Sequence, residues 1–269
     1  MNRKMDDEAV IAKIVAEARE FTLQSDFVAC IERMKFYEAE AQSDDVRFSA
    51  FITHARCAFD AEDFDEAMVA VSAIDRVTLQ PEGKLFADKM LAHILKRQGK
   101  LEQAGELLLN VLARPETTTP EFEEDRYDMI GLLGGVLAGL GEYERALTYL
   151  KEGESGFEKG WPLDVAILAK AYCLEMLGRF TEAESSLREL LQTGSGELIV
   201  DAFYDLGVLY SKMGRFEEAQ SMLEFSADNL PHGTRTAAEI SDEMLRIRTE
   251  AEAKGFGNAE NERRSIPFQ

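Results

Sequence analysis

Along the chain, apolar positions recur three and four residues apart in segments of a dozen or more residues, and breaks of two or three residues separate those segments. This spacing puts one apolar stripe on each of a succession of helices. The stretch LGVLYSKMGRFEEAQSML, Leu206 to Leu223, shows the plan: two apolar-periodic segments divided by Gly214, Arg215 and Phe216. Gly207 and Ala219 are small where the two helices of a hairpin must approach closely, and Gly214 supplies a left-handed residue to end the first helix. Pro231 ends the second.

The same pattern recurs upstream. A step of 36 residues reaches Gly178, Phe180, Ala183 and Leu187, with Ala171 at the first small position, and 37 more reach Gly141, Tyr143, Ala146 and Leu150. That copy is preceded by Ile130, Leu133-Gly134 and Leu137. A longer step of 42 gives Gly99, Leu101, Ala104 and Leu108; 37 more give Phe64, Ala67 and Val71, and a last 37 gives Phe27 and Cys30. A fixed period of this size signals an array in which each repeat buries its apolar face against the next. The long step contains Arg114-Pro-Glu-Thr-Thr-Thr-Pro-Glu-Phe, whose two prolines cannot continue a helix and predict a longer loop.

The spacing Phe203, Leu206-Gly207, Tyr210, Ala219, Leu223 and Pro231 resembles the tetratricopeptide repeat (TPR), departing from it by Phe for Trp and by Leu223 for the second aromatic. The resemblance implies an all-α fold, a right-handed α-solenoid of about six TPR-like helix pairs covering about residues 8–231. Repeats 1–3 would span 8–114, a longer loop 115–127, and repeats 4–6 would span 128–231. Ala237, Ile240, Met244, Ile247 and Ala251 then fall on one face of a capping helix over 234–254, which would cover the apolar face the last repeat exposes. Residues 255–269 are polar with two glycines and a proline, and are expected to be disordered.

Charge narrows the partners. A net charge of -21, from 51 acidic against 30 basic residues, repels phosphate backbones and anionic lipid, so neither nucleic acid nor a membrane surface is expected as a partner. The first twenty residues alternate charged and apolar groups without the uninterrupted apolar core of a secretory signal. No segment approaches the roughly 18–20 apolar residues of a membrane span. These features point to the cytoplasm. Three widely spaced cysteines, Cys30, Cys57 and Cys173, without a CxxC pair, argue against a disulfide framework and a zinc site; each is read as a small core residue.

No catalytic or cofactor motif is present: His54, His93 and His232 have no metal-ligand spacing, and there is no phosphate-binding glycine loop or nucleophile turn. Neither an enzyme nor a cofactor is expected. The acidic runs Asp60–Glu66 and Glu121–Asp125 lack the central glycine of a calcium loop and are read as acids at helix N-termini. Gly131, Gly135 and Gly139 recur every four residues on one stripe, read either as a close helix contact or as a flat floor on a binding face.

In the TPR family the concave surface is lined by the first helix of each pair. Carried over, that frame places Val15, Arg19, Ile52, Arg56, Lys89, His93, Gly131, Gly135, Leu168, Tyr172, Tyr204 and Val208 on it, with Lys96 and Arg97 further along the third repeat. The family's chaperone-tail clamp of Lys and Asn is not reproduced, since Val15 and Arg19 stand at its first-repeat positions. The reading is a non-catalytic adaptor or co-chaperone-like module that holds a peptide or helical segment, with Arg19, Arg56, Lys89, His93, Lys96 and Arg97 for charge and Leu168, Tyr172 and Tyr204 for apolar anchoring. An acidic extended segment would suit such a groove. The alternative is a self-associating scaffold in which one solenoid end or the tail, with Ile266 and Phe268, docks into the groove of a neighbouring copy.

Overall fold

The computed structural model describes residues 2–77, 81–194, 197–229 and 236–254. Those residues form helices and turns without a strand. The chain divides into two compact units, residues 1–129 and 130–269.

The N-terminal unit holds α1 (Asn2–Leu23), α2 (Phe27–Glu40), α3 (Asp44–Asp60), α4 (Phe64–Val77), α5 (Pro81–Arg97) and α6 (Leu101–Leu112). Two 3₁₀ turns follow, Pro115–Thr118 and Pro120–Phe122, and then α7 (Glu123–Gly139), whose first part belongs to this unit. The prolines do interrupt the helix, but α7 starts at Glu123, inside the segment 115–127 read as loop. The C-terminal unit continues α7 with α8 (Tyr143–Glu154), α9 (Trp161–Met176), α10 (Phe180–Thr193), α11 (Glu197–Lys212), α12 (Phe216–Asp228) and α13 (Ala237–Ala253).

One turn joins the two helices of every pair. At Ser25, Glu62, Gly99, Gly141, Gly178 and Gly214 the backbone takes φ of 54°, 58°, 72°, 78°, 72° and 76°. The next residue's N–H then reaches back five residues to a carbonyl: Asp26 to Phe21, Asp63 to Ala58, Lys100 to Leu95, Glu142 to Leu137, Arg179 to Leu174 and Arg215 to Tyr210, all at 2.8–2.9 Å. These bonds satisfy carbonyls that a helix end leaves without a partner. The second helix starts two residues after the left-handed one each time, at Phe27, Phe64, Leu101, Tyr143, Phe180 and Phe216.

Small residues set the helix approach. Ala18, Ala55, Ala92, Gly134, Ala171 and Gly207 on the first helices, and Cys30, Ala67, Ala104, Ala146, Ala183 and Ala219 on the second, are all buried. A Cβ on Gly207 would lie 2.7 Å from Leu223 Cγ and 3.1 Å from the Ala219 carbonyl oxygen, and one on Gly134 would lie 2.6 Å from Leu150 Cγ. Glycine is therefore required at these two approaches, whereas the other four accept a methyl.

The acidic run at 60–66 does three different jobs. Asp63 accepts a hydrogen bond from the Glu66 N–H at 3.0 Å and so caps α4, and Asp65 and Glu66 lie in that helix's first turn, as expected from the macrodipole. Glu62 is the left-handed turn residue, and Asp60 is the last residue of α3, so neither is a helix N-terminal acid. In the second run, Glu123, Glu124 and Asp125 occupy the first turn of α7. Buried His54 on α3 faces Glu38 of α2 at 2.8 Å and Glu66 of α4 at 3.0 Å, while Lys35 pairs with Glu66 at 2.7 Å.

The cysteines correct one expectation. Cys30 of α2 and Cys57 of α3 are joined in a disulfide, their Cα atoms 6.2 Å apart. Both occupy small, buried core positions as read, yet packing of the second helix of one repeat against the first helix of the next brings the two sulfurs together. Cys173 is free and fully buried, and burial pushes its thiol up to about 11, which leaves it an inert core residue.

α13 packs against α12 through buried Ile240 and Ile247, with a capping box between Thr236 and Glu239 at its start. It also contacts α11, the other helix of the last hairpin. Pro231, His232 and the tail from 255 to 269, including Ile266 and Phe268, lie outside the described residues.

Candidate functional site

The site is built from first helices. In the N-terminal unit α1 packs along α3, and between them lies a hollow of about 320 Å³ lined by Val15, Ala18, Arg19, Thr22 and Leu23 on one side and by Ile52, Thr53, Arg56, Cys57 and Asp60 on the other. One helical turn separates Val15 from Arg19, and one turn separates Ile52 from Arg56, so each helix presents an aliphatic residue and an arginine along one stripe. Val15 and Leu23 are 56% and 79% exposed, large apolar surface that the fold itself leaves uncovered. The four frame positions Val15, Arg19, Ile52 and Arg56 thus converge on one concavity. Thr22, Leu23, Thr53 and Asp60 were missed by the sequence reading; heptad-like spacing from Val15 and Ile52 would have found Thr22 and the neighbourhood of Asp60.

Asp60 and its neighbour Phe59 connect the end of α3 to α5. The surrounding protein raises the pKa of the Asp60 carboxyl, against the pull of the Arg56 and Arg97 guanidiniums. The Arg97 guanidinium lies over the Phe59 and Phe64 rings, 5.6 and 5.9 Å from their centroids, and pairs with Glu62. Phe59 in turn meets the His93 ring edge-on at 6.1 Å.

Each cation on α5 has a different electrostatic state. Lys89 donates to Asp125 at 2.8 Å and lies 3.0 Å from Asp128; burial works against its charge, but the two carboxylates outweigh it and hold its pKa above the ordinary lysine value. His93 is pushed down to about 4, chiefly by burial, with Lys96 and Lys89 adding to the effect and Asp128 opposing it. It is neutral at pH 7. Lys96 is half-buried; burial lowers its pKa, the Arg97 charge lowers it further, and no carboxylate among the described residues offsets either. Lys89 and Arg97, expected to face a ligand, are therefore each held by an acid of their own unit.

The C-terminal unit presents a different surface on its first helices. Tyr172 and Met176 of α9 are 46% and 45% exposed, and the Tyr172 ring meets Tyr143 edge-on at 6.1 Å. Leu168 and Tyr204 are half-buried, and Tyr204 has a partner. Lysines near this face pair within the unit, Lys170 with Glu154 at 2.7 Å and Lys212 with Glu175. Gly131 and Gly135 are half-buried and Gly139 exposed, with open space where a Cβ on Gly131 would sit, so the glycine stripe is on the side of α7 away from buried Leu133 and Leu137. A second hollow of about 560 Å³, lined by Arg188, Leu206, Tyr210 and Met222 among others, lies among α10, α11 and α12. Beside it Glu184 accepts hydrogen bonds from Tyr210, Arg188 and Arg215, each at 2.9 Å.

Against known proteins, a family model described as the tetratricopeptide repeat matches residues 200–224. A solved TPR protein from Parabacteroides merdae covers 89% of this chain with 99% of its own at a TM-score of 0.51 and 10% identity. The chain is an α-solenoid of the tetratricopeptide-repeat kind. A thermophilic TPR protein from Thermus thermophilus superimposes likewise, at a TM-score of 0.56 and 18% identity, with 74% of this chain and 98% of that one covered. No curated protein sequence matches the chain significantly. Among the described residues no helix is long and apolar enough to cross a membrane, and no group of three His, Cys, Asp or Glu side chains could hold a metal ion.

Proposed function

We propose that this TPR protein is a non-catalytic interaction adaptor that holds an extended or helical segment of another protein on the first-helix face of its N-terminal unit. The observation that carries the reading is the α1/α3 hollow, where exposed Val15 and Leu23 and the paired stripes Val15/Arg19 and Ile52/Arg56 converge. Concave sites with apolar walls and a few oriented polar groups are where proteins take ligands, and this hollow falls at the small end of the roughly 300–1,000 Å³ of such pockets. A TPR array is a protein-interaction scaffold in general terms; the groove and the adaptor role are specific to this proposal. The self-association alternative rested on the tail, which lies outside the described residues, and no observed feature favours it.

Site-specific photocrosslinking tests the groove. A benzoylphenylalanine placed at Val15 or Ile52 should give discrete protein adducts in host lysate, while the same probe at exposed Val28 or Val69 on the second helices should not. Identical adducts from all four positions, or none from the groove, would remove the proposal.

A further inference from the structure

The basic residues of the N-terminal unit sort by whether they have an acid. Arg33 pairs with Glu17 at 2.6 Å, Lys35 with Glu66 at 2.7 Å, Arg47 with Asp44 at 3.1 Å, Arg114 with Asp88 at 2.6 Å, Lys89 with Asp125 and Asp128, and Arg97 with Glu62. In a chain with 51 acids for 30 bases, a base that lacks a partner has been kept from the commonest charged neighbours available to it. Lys84 and Lys100 also form no ion pair among the described residues, and Arg56 acts on the Asp60 carboxyl without pairing with it; on the first-helix frame the cations that form no ion pair are Arg19, Arg56 and Lys96. They are on α1, α3 and α5, the three successive first helices of this unit, and Arg56 and Lys96 are linked through Asp60, Arg97, Phe59 and His93. Lys96 carries the sharper argument, because it is half-buried next to Arg97 and forms no ion pair with an acid among the described residues. Withdrawing an ammonium group from water without an anion is unfavourable, and a bound carboxylate would offset that cost.

We infer that Arg19, Arg56 and Lys96 read the carboxylate side chains of an acidic partner segment, and that the α1/α3 hollow takes an aliphatic side chain of that same segment. This rests on the groove proposed above and adds the chemistry of its occupant. The hollow is walled by Val15, Ile52 and Leu23, with its arginines one turn beyond the aliphatic residues, so an apolar anchor flanked by acids matches both. Guanidinium groups pair with carboxylates through two parallel hydrogen bonds, which favours Asp or Glu over a neutral acceptor. The chain's own residues 255–269 do not fit that description, since Glu260 and Glu262 are followed by Arg263 and Arg264. A second copy is disfavoured by the repulsion between two molecules that each carry -21.

The experiment is selection of a random twelve-residue peptide library displayed with its C-terminus blocked by fusion, against the full-length protein. The expected pools are enriched in Asp and Glu around one Ile, Leu or Val. Their affinity should fall about tenfold or more for Lys96→Gln and for Arg19→Gln/Arg56→Gln, the scale of a lost charge-assisted hydrogen bond. Raising the salt concentration should weaken binding to wild type more than to these variants. Circular dichroism and melting curves confirm that each variant is folded. Pools without acid enrichment that are lost on Val15→Ser/Ile52→Ser would overturn the acidic reading and leave the groove standing. Pools that bind every variant alike, or no enrichment of any peptide, would overturn both.

Discussion

The two units share one hairpin plan but not one surface. In the N-terminal unit the first helices carry Arg19 and Arg56 in a hollow and Lys89, Lys96 and Arg97 on α5, and two of the three hairpin turns place non-glycine residues at positive φ. The C-terminal unit turns on glycine three times, requires glycine at two helix approaches, and shows Tyr172 and Met176 where the other shows cations. The contrast separates what the fold needs from what a site needs. The C-terminal unit is closer to the ideal repeat at its turns, and its cations near the first-helix face are paired. The N-terminal unit departs from the ideal pattern where it also leaves charge uncompensated, as expected when local rules yield to function.

The largest difference to test is the disulfide, which only the N-terminal unit has. Closing a loop of 27 residues between Cys30 and Cys57 should stabilise that unit by about 3.5 kcal/mol on the chain-entropy model. Melting with and without reductant, followed by hydrogen exchange, should show a loss confined to residues 1–129. Equal loss of protection in both units would end the view that they are separately stabilised.

The disulfide also shows where the sequence stops being readable. Four of the six turns carry glycine because positive φ favours it, and the small contact residues recur at a fixed period; these features made the helix pairs legible, down to the residues that start each second helix. Cys30 and Cys57 are in different hairpins and reveal nothing of each other until α2 packs on α3. The groove was partly legible. The frame placed Val15, Arg19, Ile52 and Arg56 together, but the partners of Lys89 and Arg97 come from α7 and from the α3–α4 turn, so which cations remain unpaired depends on tertiary neighbours. Asp60 was misread because the same short acidic run ends one helix, makes a turn and caps the next.

The second test uses acid. His93 faces Phe59 of α3, Asp128 of α7 and Lys89 and Lys96 of its own helix, and its folded pKa of about 4 is below the ordinary 6.5. Between those values the unfolded chain binds a proton that the folded chain refuses, so this residue's contribution is intact above pH 6.5 and lost as pH falls toward 4. The N-terminal unit should lose on the order of 1–3 kcal/mol over that window, and His93→Gln should remove most of the decline. The C-terminal unit's described residues include no histidine, and its stability should change less across the same window. A denaturant titration at several pH values that shows the same slope in wild type and variant would assign the acid sensitivity elsewhere.

Next come the helix approaches. Gly207→Ala puts a Cβ 2.7 Å from Leu223 Cγ and 3.1 Å from the Ala219 carbonyl oxygen. Overpacking of that kind costs roughly 1–3 kcal/mol, of which better helix propensity returns about 1. The net loss, up to about 2 kcal/mol by equilibrium unfolding, comes from overpacking, whereas Ala55→Gly in the other unit should lose about 1 kcal/mol to helix propensity and about as much again for the buried methyl it removes. A Gly207→Ala protein as stable as wild type would show that Leu223 can repack, and that glycine is not what distinguishes the C-terminal approaches.

The smallest effect is at the turns, and its sign is the informative part. Ser25 and Glu62 hold φ of 54° and 58° where the other four repeats use glycine. An L-residue in that region costs roughly 1–2 kcal/mol, while glycine's greater freedom in the unfolded chain takes back about 0.5–1. Ser25→Gly should therefore stabilise the N-terminal unit by about 0.5–1 kcal/mol in chemical denaturation, and Gly99→Ala in the same unit should do the reverse. Glu62→Gly should gain less, because it also removes the carboxylate that holds Arg97. It converts a paired cation on the α5 face into a further free one, so the same variant should bind selected acidic peptides more tightly than wild type does. Tighter binding with little gain in stability would mean that Glu62 screens the face; a full gain in stability with unchanged binding would reduce it to a turn residue of the wrong type.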